Sequence, residues 1–187
     1  MKMGTIYTGK SETLDIKFSR VWAMPSPWTF TIRPVSDLLT RYGTKRLFAG
    51  CWVDPYAGRN SPAGYWTNDI DPSARATFHL DALEFSKLCK DGQFDGILYD
   101  PPYSYRQISE HYKSLGLKAT KLTTSSAFYE KVKSAFCEKI KPNGIAISFG
   151  WNTNGFGKAR GFRIVEIMCV AHGGSKNDTI VTVEKKI

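Results

Sequence analysis

The sequence predicts an α/β fold, a doubly wound and mostly parallel sheet that closes with an antiparallel hairpin. Three observations carry that expectation. Short apolar runs alternate with segments whose apolar residues recur three and four positions apart, the pattern of strand and crossover helix. The run Phe94-Asp95-Gly96-Ile97-Leu98-Tyr99 lacks sustained polar alternation, as in a strand covered on both faces. Residues 161–170 and 179–184 are β-rich and flank the loop His172-Gly173-Gly174-Ser175-Lys176-Asn177-Asp178, which reads as a hairpin with a long connection.

Taken in order, residues 1–28 form an extension, with candidate short strands at Ile6-Tyr7-Thr8 and Ile16-Lys17-Phe18 and a linker at Met24-Pro25-Ser26-Pro27-Trp28. Pro34, tolerated in a first helical turn, opens a helix through Val35, Leu38, Leu39 and Tyr42 that Gly43 closes. Arg46 to Asp54 reads as a buried strand and Pro55 to Ser61 as its loop. Tyr65-Trp66-Thr67 is a short strand ending at Asn68-Asp69-Ile70-Asp71-Pro72. A strand at Thr77-Phe78-His79 precedes Asp81 and an amphipathic helix on Ala82, Leu83, Phe85, Leu88 and Cys89. Residues 103–124 are polar and basic without a period. Phe128, Val132, Ala135, Phe136 and Ile140 mark the next helix, and Pro142-Asn143-Gly144 turns into a strand at Ile145 to Phe149.

Composition bounds the function. A chain of 187 residues predicts one domain with a proper core. No run approaches 18 apolar residues and the start has no signal-peptide core, so a cytoplasmic protein without a membrane partner is expected. Cys51, Cys89, Cys137 and Cys169 are scattered and three lie in apolar segments, which favours core thiols over disulfides. His79, His111 and His172 are isolated, so no metal is expected. The formal charge of +9 points toward a polyanionic partner held by salt-dependent attraction.

The chemistry concentrates where the apolar run at 94–99 meets Asp100-Pro101-Pro102-Tyr103. Two consecutive prolines end a strand, because neither donates to a ladder, and they fix the local backbone. A carboxylate, a rigid carbonyl and an aromatic ring thus fall at the carboxyl end of a core strand, where open α/β sheets bind ligands. Asp100 and the Pro101 carbonyl can accept the two N–H groups of an exocyclic amine, and Tyr103 can stack on the ring that bears it. The plainer reading is a Pro-rich turn with Asp100 as a helix cap. Three further acids end successive strands: Asp54, Asp69 and Asp81. Asp54-Pro55-Tyr56-Ala57-Gly58 is a small-residue turn that lets a ligand approach the backbone, with Asn60 where nucleotide loops often carry a second glycine. Asp69 can bind ribose hydroxyls, with Asp71 as its competitor, and Asp81 can accept from an adenine amine. Each alone also fits a cap or solvated turn.

The order DPYAG, NDID, LDALEF, YDPPY resembles motifs one to four of the class I S-adenosylmethionine-dependent amino-methyltransferases, whose fold is Rossmann-like. The DPYAGRNSPA loop and the segment 172–181 look like those of small phage and prophage DNA adenine-N6 methylases. The resemblance covers about residues 28–187. It implies a bacterial setting and S-adenosylmethionine as cofactor. Phe30, Thr31 and Pro34 would lie beside its methionine end, Asp54, Ala57 and Gly58 around its amino-acid moiety, Asp69 at its ribose, and Asp81 with Ala82 at its adenine. Asp100, Pro101, Pro102 and Tyr103 would be catalytic. No insertion of the kind that forms a separate target-recognition domain is present, so residues 29–187 read as a single catalytic core working as monomer or homodimer.

The implied partner is double-stranded DNA with the target base flipped out. Arg106, Lys113, Lys118, Lys121, Lys158 and Arg160, with Arg163, are the candidate DNA contacts, and Trp151 or Phe149 the wall opposite Tyr103, with core packing the better role for Phe149. Competing readings are cytosine-N4 methylation of DNA, adenine methylation of RNA, and a non-catalytic nucleic-acid-binding protein on the same fold.

Overall fold

The computed structural model describes residues 15–43, 51–102, 113, 116, 126–174 and 176–187. Among them are strands β1 (Lys17–Trp22), β2 (Trp52–Asp54), β3 (Trp66–Thr67), β4 (Phe94–Tyr99), β5 (Ile140–Gly150), β6 (Phe162–Ala171) and β7 (Thr179–Lys186). Helices α1 (Arg33–Arg41), α2 (Ala82–Lys87) and α3 (Ser126–Cys137) flank them. One sheet runs β1-β6-β7-β5-β4-β2-β3. All neighbours are parallel except β7, which is antiparallel to both β5 and β6. From β2 the chain steps outward to β3, and from β4 it steps outward the other way to β5. The carboxyl ends of β2 and β4 therefore flank the point where strand order reverses, the place such sheets hold ligands.

Strand β4 shows why the run at 94–99 lacks alternation. Ile97 and Tyr99 face one core with Phe85, Phe128, Val132 and Phe136 of α2 and α3. Leu98 faces the other, with Val35, Leu38 and Leu39 of α1 and with Trp52, Ile147 and Phe149. Residues on both faces are buried, so both positions of the two-residue period are apolar. Gly96 admits no side chain, since a Cβ there would lie 2.5 Å from the Trp52 indole. Pro34 does occupy the first turn of α1, and Gly43 beyond it takes φ +90°, which a side chain would oppose. Val35, Leu38 and Leu39 are wholly buried on one stripe, about 1.5–3 kcal/mol of apolar transfer each. Buried Glu166 of β6 accepts from Arg41 (2.8 and 3.2 Å) and the Tyr42 hydroxyl (2.9 Å) and pairs with Lys17 at 3.4 Å, tying α1 and β1 to the sheet.

Several expectations are corrected in detail. The short strand expected at Ile16-Lys17-Phe18 is present but runs longer, as Lys17–Trp22, an edge strand paired with β6 in unbroken register. Thr77-Phe78-His79 makes no strand: Phe78 forms an isolated bridge to Asn68. Ile140 starts β5 rather than ending α3, because Pro142-Asn143-Gly144 is absorbed as an irregularity in that strand with Asn143 at φ 64°. Of the strand expected from Arg46, Trp52–Asp54 is described and 44–50 lie outside the described residues, as does Ile6-Tyr7-Thr8.

Candidate functional site

Asp54 ends β2 and is completely buried. Its carboxylate accepts from the Tyr56 backbone N–H (3.0 Å) and the Ser61 hydroxyl (2.6 Å). Burial pushes its pKa up to about 7, against those two hydrogen bonds, and the nearby charges of Asp100 and Asp69 push the same way. The acids at these strand ends thus share one electrostatic neighbourhood.

The loop after β2 is built on backbone contacts. The Ala57 N–H donates to the Asn68 carbonyl (2.9 Å), and Gly58, at φ +54°, donates its N–H to Asp69 Oδ2 (2.8 Å). Asp69 Oδ1 accepts from the Asp71 N–H (2.9 Å), while the Asp71 side chain closes its own turn on Ser73 (2.7 Å). Asp69, and not Asp71, reaches the cavity wall. Asn68 is buried and holds three segments together: Nδ2 donates to the carbonyls of Pro55 and Leu80, and Oδ1 accepts the Leu80 N–H (2.9 Å). Asp81 caps α2 by accepting the Leu83 N–H (2.9 Å), yet it also faces the cavity, so the cap and the ligand role are compatible.

These pieces enclose a cavity of about 350 Å³ lined by Asp69, Asp81, Ala82, Asp100, Pro101 and Pro102 among the residues singled out by sequence. That volume falls in the range of small-molecule sites, roughly 300–1,000 Å³. Three carboxylates in the wall and a fourth buried beside it suit a ligand that carries positive charge. Thr29, Pro55, Tyr56, Asn68, Ile70, Leu80, Phe128 and Tyr129 complete the lining. Pro55, Tyr56, Asn68, Ile70 and Leu80 lie within the DPYAG, NDID and LDALEF stretches, though none was singled out individually, whereas Thr29, Phe128 and Tyr129 were missed as site residues. Phe128 was visible only as a core position of α3, and no local signal marks Tyr129. The rings of Tyr56, Tyr99 and Tyr129 form a cluster with centroids 5.6 and 6.1 Å from Tyr56.

Other expected site residues lie elsewhere. Phe30, Thr31, Pro34, Asp54, Ala57 and Gly58 are not in its lining. Phe30 packs edge-on to Phe149 (5.4 Å), and Phe149 is a core residue. Trp151, past the end of β5, is 45 % exposed and is not in the wall. Lys113 and Lys158 are exposed. Arg160 departs from its expected role: its guanidinium is engaged by Ser134 Oγ, the Phe156 carbonyl, and the carbonyl and carboxylate of Glu130, which clamps the loop before β6 onto α3. Tyr103, Arg106, Lys118 and Lys121 lie outside the described residues.

No protein-family model and no curated protein matches the sequence. Solved structures do match, at low identity. TrmN from Thermus thermophilus is 16 % identical with a TM-score of 0.53, the match covering 83 % of this chain and 49 % of that one, so the chain spans about half of TrmN's length. The N-methyltransferase NodS from Bradyrhizobium japonicum WM9 is 10 % identical with a TM-score of 0.53, covering 82 % and 95 %. SMU.776, solved in complex with SAH, is 12 % identical with a TM-score of 0.51, covering 80 % and 48 %. The fold is the Rossmann-like fold of class I methyltransferases, with the antiparallel β6–β7 pair at its end. Among the described residues no helix is long and apolar enough to cross a membrane.

Proposed function

We propose that the protein is an S-adenosylmethionine-dependent methyltransferase acting on adenine N6 in DNA. The observation that carries this reading is the position of Asp100-Pro101-Pro102 in the wall of the same cavity as Asp69, Asp81 and Ala82. When bound, S-adenosylmethionine supplies an electrophilic methyl group on a sulfonium. The acidic wall fits that cation. Asp69 would hold the ribose and Asp81 and Ala82 the adenine, while the loop 54–58, through Pro55 and Tyr56, and the segment 29–34, through Thr29, would meet the methionine end.

The target adenine leaves the helix, since a stacked amine is out of reach. Asp100 and the Pro101 carbonyl accept its two N–H groups, which draws the nitrogen lone pair out of conjugation with the ring. Asp100 is then placed to take the proton that the methylated amine sheds. Tyr103 stacks on the base, with Phe128 and Tyr129 as additional aromatic lining. Positioning supplies much of the acceleration in such a displacement, and the chain offers no need for a covalent intermediate.

Incubation with labelled S-adenosylmethionine and unmodified DNA, followed by nucleoside mass spectrometry, tests this directly. N6-methyladenine is expected; N4-methylcytosine, or label only in RNA, would move the substrate assignment. Asp100→Ala should lose at least about 100-fold in turnover, the scale of a positioned acid–base group, with cofactor affinity within a few-fold of wild type. Retained turnover would remove Asp100 from the chemistry.

A further inference from the structure

S-adenosylmethionine carries a sulfonium, an ammonium and a carboxylate. The cavity wall answers only the two cations. It holds Asp69, Asp81 and Asp100 and, among the described residues, no Lys, Arg or His. A carboxylate brought close to three others is repelled, the more so where little water intervenes, and needs a cation of its own. The wall assigned to the methionine end is made by Thr29, Pro55 and Tyr56. One arginine is tied to both halves of it.

Arg59 follows Pro55 and Tyr56 on the same loop, and its guanidinium carbon lies 5.8 Å from the ring centre of Trp28, the residue before Thr29. Both supports are fixed by hydrogen bonds. The Gly58 N–H donates to Asp69 Oδ2 (2.8 Å), and the Gly58 carbonyl accepts the Arg75 N–H (3.1 Å). The Trp28 N–H donates to Ser26 Oγ (3.1 Å), and the Trp28 carbonyl accepts the Thr31 N–H (2.9 Å) and hydroxyl (2.8 Å). Arg59 is exposed, and among the described residues its guanidinium makes no hydrogen bond or ion pair. Contact with a ring face engages the charge of the cation and leaves its N–H donors unspent. Those donors form a fork that matches the two oxygens of a carboxylate.

We propose that Arg59, docked on Trp28, binds the carboxylate of the cofactor's methionine moiety, so that arginine and acids together match all three charges of the ligand. The proposal rests on the S-adenosylmethionine reading of the cavity. Arg75 provides a control: it is also exposed and borders the same loop, but meets Gly58 through its backbone.

Titration calorimetry with S-adenosylmethionine and with its decarboxylated form, which lacks only the carboxylate, tests the assignment. Arg59→Gln should weaken S-adenosylmethionine by about tenfold or more, the scale of a lost charge-assisted hydrogen bond, and leave the decarboxylated ligand unweakened. Arg59→Lys keeps the charge without the fork and should recover part of the loss. Trp28→Leu removes the support and should lower the same preference, whereas Arg75→Gln should leave it unchanged. Thermal melts of the unliganded Arg59 variants should match wild type. Equal weakening of both ligands by Arg59→Gln, or no weakening of either, overturns the proposal. So does weaker binding of duplex DNA with the ligand preference unmoved, which would make Arg59 a phosphate contact. A wild-type protein that binds neither ligand removes the cofactor reading as well. Tight S-adenosylmethionine binding that is indifferent to Arg59→Gln keeps that reading and removes Arg59 alone.

Discussion

Asp54 occupies an unfavourable place for a charge, fully buried and within the fields of Asp69 and Asp100. Its ordinary pKa of 3.8 is raised to about 7, chiefly by burial. Between those values the native protein keeps a proton that the unfolded chain has released. The sign follows from linkage: Asp54's contribution is intact below about pH 4 and is lost as pH rises toward 7. Urea denaturation across that window should show wild type losing stability relative to Asp54→Asn, by at most about 1.4 kcal/mol per pH unit. Parallel curves would mean that Asp54 stays ionised throughout. At the same scale, Asp69 and Asp81 each serve the backbone and the cavity at once, so alanine at either should lower both thermal stability and cofactor affinity.

At the scale of elements, the stretch between β5 and β6 carries one short 3-10 helix, Lys158–Arg160, and is anchored largely by charged side chains. Buried Glu184 of β7 accepts the N–H groups of Phe156 (2.6 Å) and Gly157 (2.9 Å). Lys133 of α3 donates to the Gly155 carbonyl (3.0 Å), and Arg160 reaches back to Glu130. Phe156 is thereby seated between Tyr99 and Phe162 in the core. Glu184→Ala leaves the buried Phe156 and half-buried Gly157 donors unsatisfied and should cost about 3 kcal/mol. A methyl at position 155 would strike the Glu184 carboxylate, so Gly155→Ala should act in the same direction. Urea midpoints check both, and a Gly155→Ala protein as stable as wild type would show that the carboxylate can move.

Across the whole molecule, the charge of +9 predicts nucleic-acid affinity that falls steeply with salt. The basic residues are not equivalent, however. Lys158→Glu and Arg106→Glu should reduce the slope of log affinity against log salt by about one or more each. Arg160→Glu should instead lower the melting temperature, because its guanidinium is spent on Glu130, Ser134 and Phe156. An unchanged slope for the first two would place the nucleic-acid surface elsewhere on the chain.

The apolar run of β4, its double-proline stop, the Pro34 and Gly43 bounds of α1 and the closing β6–β7 pair were all determined by the sequence alone. Each follows from local rules: a side-chain period, a missing N–H, a positive φ. So was the succession of acids at strand ends. Tertiary structure decided which of those acids share a cavity, that Asp69 rather than Asp71 faces it, and that Phe128 and Tyr129 join them from α3. It also turned Arg160 from a candidate contact into a clamp. The reason is physical: burial and partner choice depend on residues far apart in the chain, such as Asn68 with Leu80 or Arg41 with Glu166, whose meeting no local pattern encodes.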